Sequence, residues 1–201
     1  MNPMRLTAGV LSVLLLASLQ AKGQDVKQVV VTICSNCHGV DGISIHPRYP
    51  NLAGQAKEYL IDQLKAFRDK SRKDPDAHAF MWGIAQLIDA EQAVKLADYF
   101  SAQKPARGQP GDPQLAAQGK VIFERGVPSK NVAACAWCHR EDAQGTAVIP
   151  RLAGQHAEYL EAQMKEFHLG TRPNLAMTMK AVVERLSDEE AKQVAAYIQG
   201  M

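Results

Sequence analysis

Residues 50–67 read PNLAGQAKEYLIDQLKAF and residues 150–167 read PRLAGQHAEYLEAQMKEF, with 11 of 18 positions identical. In the first stretch Tyr59, Leu60, Leu64 and Phe67 recur at the spacing of one helix face, as Tyr159, Leu160, Met164 and Phe167 do in the second. Working outward, the segment from Met81 to Ile88 matches that from Met179 to Leu186, and ADYF ending at Phe100 matches AAYI ending at Ile198. Upstream, Cys34-Ser-Asn-Cys-His38 recurs as Cys135-Ala-Trp-Cys-His139. The offsets are 101, 100, 98 and 98, so one unit of about 85 residues is used twice. Ser187 and Glu190 have the spacing of a helix capping box, and Asp89 stands at the equivalent place in the first unit. No alternating segment is long enough for a sheet. The chain reads as all-α, with two tandem domains.

The ends and the middle of the chain divide it further. Residues 1–5 carry a positive charge, Leu6 to Leu19 form an uncharged apolar run, and Ala21-Lys22-Gly23 supplies small residues for a cut. This is the three-part pattern of a secretory signal peptide over residues 1–23. The 14-residue run falls short of the roughly 20 that a spanning helix needs, though an uncleaved anchor is the alternative. KPARGQPGDP, from Lys104 to Pro113, holds three prolines and two glycines and reads as a linker. The expected division is a first domain over 24–105, a linker over 106–113 and a second domain over 114–201. The formal charge of +2 comes wholly from Arg5 and Lys22 in the leader, which leaves 21 basic and 21 acidic residues. Such a balance gives no footprint for nucleic acid.

C-x-x-C-H is the attachment signature of c-type haem. Cys34, Cys37, Cys135 and Cys138 would add to haem vinyl groups, with His38 and His139 beside them as iron ligands. A bare C-x-x-C could instead be redox-active or half of a zinc site, but the adjacent His, the duplication and the export signal favour two covalent haems. All four cysteines are then consumed.

Met81 and Met179 hold equivalent repeat positions, each seven residues before Ile88 or Leu186. They are the candidate sixth ligands, and the alternative is core filling. Met177 corresponds to Ala79, and Met164 aligns with Leu64, so neither is favoured. His46, His78, His156 and His168 have no repeat partners and read as surface or loop histidines. Pro50 and Pro150 follow the haem histidines by 12 and 11 residues, where their carbonyls could accept the imidazole N–H. Trp82 and Trp137 read as packing on a haem edge.

CSNCHGVDG, YPNLAGQ, CAWCH, PRLAGQH, the two late methionines and the duplicated layout together resemble the cytochrome c4 family of di-haem class I cytochromes. The resemblance covers essentially the whole mature chain. It implies two cytochrome c folds with haems approaching across the domain interface. It also implies haem held by the four cysteines, His38 and His139 as proximal ligands, and Met81 and Met179 as distal ligands. Gly119-x-x-x-Phe123 is similar to the family's N-terminal helix, which packs on the C-terminal one, here near Tyr197. Arg140 stands where glycine is usual, and GVPSKNVAA between Phe123 and Cys135 is insertion-like.

The function these readings imply is a periplasmic, non-enzymatic carrier of single electrons between a respiratory donor complex and a haem–copper terminal oxidase. The family suggests the cbb3 type as that oxidase. Peripheral membrane association is compatible with the sequence. The competing class is a di-haem electron-transfer subunit of a periplasmic dehydrogenase, such as flavocytochrome c sulfide dehydrogenase. An enzyme with open iron is the third.

Overall fold

The computed structural model describes residues 25–173 and 177–201, so the leader read in residues 1–23 lies outside the described residues. The first half begins with α1, residues 26–38, in which a π-helical turn, Val30–Cys34, joins Val26–Val29 to Ser35–His38. Next come α2, Lys57–Arg68, and α3, residues 77–86, where a π turn at Ala77–Met81 leads into Trp82–Gln86. Helix α4, Ala90–Ser101, closes this half. The second half has α5, Pro113–Arg125; α6, Ala136–His139; α7, Ala157–Leu169; α8, Met177–Val183; and α9, Asp188–Gln199. Among the described residues there is no strand, and an antiparallel bridge between Val127 and Val132 stands alone. No helix among them is long and apolar enough to cross a membrane.

The caps fall where the residue types demand. Asp89 and Ser187 both form full capping boxes, with Gln92 and Glu190 reaching back to the cap N–H groups. Asp112 caps α5, and Pro113 follows at the first helical position, where its missing N–H costs nothing. The stripes behind these caps build two cores. Val29, Val30, Leu60, Leu96 and Phe100 pack together in the first half. Ile122, Phe123, Leu160, Val194 and Ile198 do so in the second.

Helices α5 and α9 cross at Gly119. A Cβ there would lie 1.9 Å from the Gln193 carbonyl oxygen, so only glycine permits the approach. The Phe123 and Tyr197 rings meet next to that crossing, 5.5 Å apart.

The proline- and glycine-rich segment is pinned to the fold. Gln109 N–H donates to the Gln199 carbonyl at 2.9 Å, and Gln199 Nε2 donates back to the Gln109 carbonyl at 3.0 Å. The GVPSKNVAA insertion closes on itself through the Val127–Val132 pairing, with Asn131 in the left-handed region.

Candidate haem site

In both halves the C-x-x-C-H sequence forms a short helical turn that ends on its histidine. The following residue breaks the helix at positive φ: Gly39 at 74° and Arg140 at 69°. From there the chain folds back so that a proline carbonyl faces the imidazole. His38 Nδ1 lies 2.9 Å from the Pro50 oxygen, and His139 Nδ1 lies 3.0 Å from the Pro150 oxygen. A carbonyl can only accept, so each Nδ1 carries the proton and each Nε2 keeps its lone pair for a metal. Burial favours the neutral imidazole and lowers the pKa of both histidines, outweighing the opposite pull of the proline carbonyls.

The cysteines sit on the same walls and form no disulfide. Burial pushes the Cys34 and Cys135 thiols up to about 11. A redox-active C-x-x-C or a zinc site depends on an accessible thiolate, which this environment opposes. A neutral thioether sulfur suits it.

A continuous cavity of about 710 Å³ runs through both halves. Cys34, Cys37, His38 and Met81 line it from the first half, and Cys135, Cys138, His139 and Met179 from the second. All eight residues singled out in the sequence therefore face one space. Its walls are largely aliphatic and aromatic, from Leu52, Leu64, Phe67, Leu152, Met164 and Phe167 among others. Two buried donors, Gln63 Nε2 and Arg172 Nε, have no partner among the described residues. An apolar slot with a buried amide donor and a buried guanidinium donor fits a macrocycle that carries carboxylates at one edge.

Several side chains at this site escaped the sequence reading. Asn51 N–H donates to Gln155 Oε1 at 2.8 Å, and Gln155 Nε2 donates to the Asn51 carbonyl at 3.0 Å. One hundred residues on, the relation is inverted. Arg151 N–H donates to Gln55 Oε1 at 2.8 Å, and Gln55 Nε2 donates to the Arg151 carbonyl at 2.9 Å. The glutamine of each LAGQ thus holds the backbone of the other half, in an arrangement with two-fold symmetry. Arg72, Arg172, Gln63 and Gln163 form a second such cluster deeper in the interface. Their signal in the sequence was polar identity at an offset of 100, partly on an otherwise apolar helix face.

His156 stands in the loop just before α7, in line with its reading, but it also reaches the other half. It is half-buried, and its Nε2 donates to the Ser44 carbonyl of the other half at 3.0 Å. His46, His78 and His168 are exposed. Trp82, expected on a haem edge, does not line the cavity: it packs on a small cluster of Phe67, Ala77 and Ala85, with its Nε1 donating to the Arg72 carbonyl at 2.8 Å. Trp137 lines the cavity rim and is 78% exposed.

The family model for cytochrome c matches the chain twice, over residues 23–104 and 116–201. Cytochrome c4 of Pseudomonas aeruginosa is 35% identical over 178 residues, covering 87% of this chain and 86% of that one. The thiosulfate dehydrogenase electron acceptor of Thiomonas intermedia is 37% identical over 172 residues, covering 82% and 76%. The solved structure of cytochrome c4 from Acidithiobacillus ferrooxidans superposes with a TM-score of 0.79 at 40% identity, covering 84% of this chain and 98% of that one. Two cytochrome c domains in tandem bring two covalently bound haem c groups, and the protein transfers electrons rather than catalysing a reaction on a substrate. The chain belongs to the cytochrome c4 family of di-haem c-type cytochromes.

Proposed function

We propose that this chain shuttles single electrons in the periplasm, from a respiratory donor to a haem–copper terminal oxidase. In this reading Cys34 and Cys37 attach one haem, and Cys135 and Cys138 the other. His38 with Met81, and His139 with Met179, are the axial pairs. The observation that carries the reading is the pair of His–Pro bonds, 2.9 and 3.0 Å long, which leave both Nε2 atoms free toward a cavity also lined by Met81 and Met179.

Haem iron supplies a reversible one-electron change. The protein's part is to hold it. The Pro50 and Pro150 carbonyls fix ring orientation and tautomer and raise imidazole donor strength. A thioether ligand from Met81 or Met179 would favour the reduced state. The aliphatic walls keep out water. Export rests on the leader pattern in residues 1–23, and the domain limits on the repeat and its linker.

The visible spectrum of the oxidised holoprotein tests the ligands. Two Met-ligated irons give a far-red charge-transfer band of two-haem intensity, and Met81→Ala and Met179→Ala each remove half of it. A band unchanged by either substitution refutes that ligand. Reduced protein reoxidised in turnover by a purified cbb3-type oxidase supports the acceptor, and failure to do so rejects it.

A second reading, an acceptor dedicated to a periplasmic dehydrogenase, is favoured by the 37% identity to a thiosulfate dehydrogenase electron acceptor. Co-purification with a dehydrogenase, together with slow oxidase turnover, would select it.

A further inference from the structure

The deep cluster between the halves is two-fold symmetric in nearly every respect. Arg72 donates to Gln63 and to Gln163, both at 2.9 Å. Arg172 donates to Gln163 at 2.6 Å and to Gln63 at 3.3 Å. Each guanidinium lies over a phenyl ring of its own half, Arg72 over Phe67 at 4.4 Å and Arg172 over Phe167 at 4.5 Å. Both arginines are buried, and both line the haem cavity.

Two features break the symmetry. Arg172 also donates to the Tyr59 hydroxyl, a bond that Arg72 does not make to Tyr159 among the described residues. The other is a buried acid. Asp74, 1% exposed, accepts from Arg72 Nε at 3.0 Å. Its other oxygen accepts from Ala77 N–H at 3.1 Å, at the start of the π turn that ends on Met81. The matching position in the second repeat is Asn174, and residues 173–176, Pro-Asn-Leu-Ala, carry no acid. The corresponding nitrogen, Arg172 Nε, is buried without a partner among the described residues. Among the described residues the interface therefore buries two side-chain cations and one side-chain anion, and the anion sits on the segment that leads to the first haem's proposed sixth ligand.

We propose that Asp74 sets the two haems apart: its buried charge favours ferric iron in the first domain, so an electron entering the protein settles in the second. Charge inside a low-dielectric interior acts over many ångströms, and iron gains one positive charge on oxidation, so a nearby carboxylate stabilises the oxidised form. In the second domain no side-chain carboxylate among the described residues pairs with Arg172, so the charge that the chain itself places there favours the reduced form. The step is internal and balanced: ferrous iron in domain 1 and ferric iron in domain 2 become ferric and ferrous, with no further reactant. The inference rests on the ligand assignment above.

The simpler role for Asp74 is the helix cap alone, which Asn or Ser would fill equally well. Spectroelectrochemical titration of the full holoprotein separates the two roles. The two couples are assigned by the low-spin couple that survives in Met179→Ala. In the unsubstituted protein the electron-partition constant favours domain 2. Asp74→Asn and Asp74→Ser each reduce that constant roughly three- to tenfold by raising the domain 1 couple alone, a tenfold change being about 59 mV for one electron. Asp74→Glu keeps the charge and restores the constant.

Partition unchanged within twofold in both neutral variants, or an electron resting on domain 1 in the unsubstituted protein, overturns the proposal. If the unsubstituted protein shows no far-red methionine band, the ligand assignment fails and the inference falls with it. Two such bands with an insensitive partition sink the Asp74 role alone.

Discussion

Gln155→Ala cuts one of the two reciprocal clasps between the domains, and its cost follows from what it leaves behind. Gln155 is buried, as is Asn51, whose N–H and carbonyl both lose their partners at 2.8 and 3.0 Å. A net hydrogen bond is worth about 1 kcal/mol, but a buried group left unsatisfied costs about 1–3 kcal/mol. Two such groups on one residue, with partial relief if a water enters the space, give about 2–4 kcal/mol.

The loss falls on the contact between domains rather than on either core. Urea unfolding of the holoprotein, followed by Soret absorbance and far-ultraviolet circular dichroism, should therefore show the domain transitions drawing apart. Gln155→Met fills the space without restoring the bonds and should lose nearly as much, which separates hydrogen bonding from packing. Gln55→Ala on the symmetric clasp should cost a similar amount. A change under about 0.5 kcal/mol in Gln155→Ala would mean that the clasp is not holding the halves together.

Three further outcomes bear on the fold. Gly119→Ala must push α5 off α9, because its Cβ would overlap the Gln193 carbonyl. A loss of about 2–4 kcal/mol in thermal or urea unfolding is expected, and a neutral result would refute the close crossing. Arg140→Gly relieves a φ of 69° with ψ near 161°, a region essentially restricted to glycine. Its side chain is 61% exposed and makes one 3.6 Å ion pair of little worth, so a net gain of about 1 kcal/mol in urea unfolding is expected. Glu190 is partly desolvated, which by itself raises its pKa, but Lys130 and Ser187 outweigh this and hold it below the usual carboxylate range. Its stabilising contribution is therefore complete above the unfolded value of about 4.3 and fades as pH falls through the lower folded value. Glu190→Gln should narrow its gap to the parent protein only in that acidic window, and a gap independent of pH would refute the assignment.

The residues that line the cavity were more legible in the sequence than the joint between the domains. Cys34, Cys37, His38 and their counterparts are close along the chain, so their spacing alone declares a site, and Pro50 and Pro150 stand a fixed short loop away. Met81 and Met179 became visible through repetition. Gln55 and Gln155 were quoted in the repeat, yet nothing local distinguishes a glutamine that clasps another domain from one that faces solvent. The same holds for Arg72 and Arg172, whose residue type predicts exposure and whose burial depends on partners about 90–110 positions away. The cross-domain contact of His156 was hidden for the same reason: its partner, Ser44, is 112 residues distant. Pairings of that range are set by how two finished domains meet, and local periodicity carries no record of them.

The reciprocal clasps have the geometry of an isologous dimer, folded into one polypeptide. In a true homodimer every substitution appears twice, so an aspartate at the place of Asp74 would necessarily appear in both halves. Joining the copies in one chain removes that obligation. Position 74 can hold a carboxylate while position 174 holds an amide, and the shared surface that binds the halves need not change. Covalent fusion thus lets a symmetric assembly carry different charges on its two sides, which a pair of identical subunits does not encode.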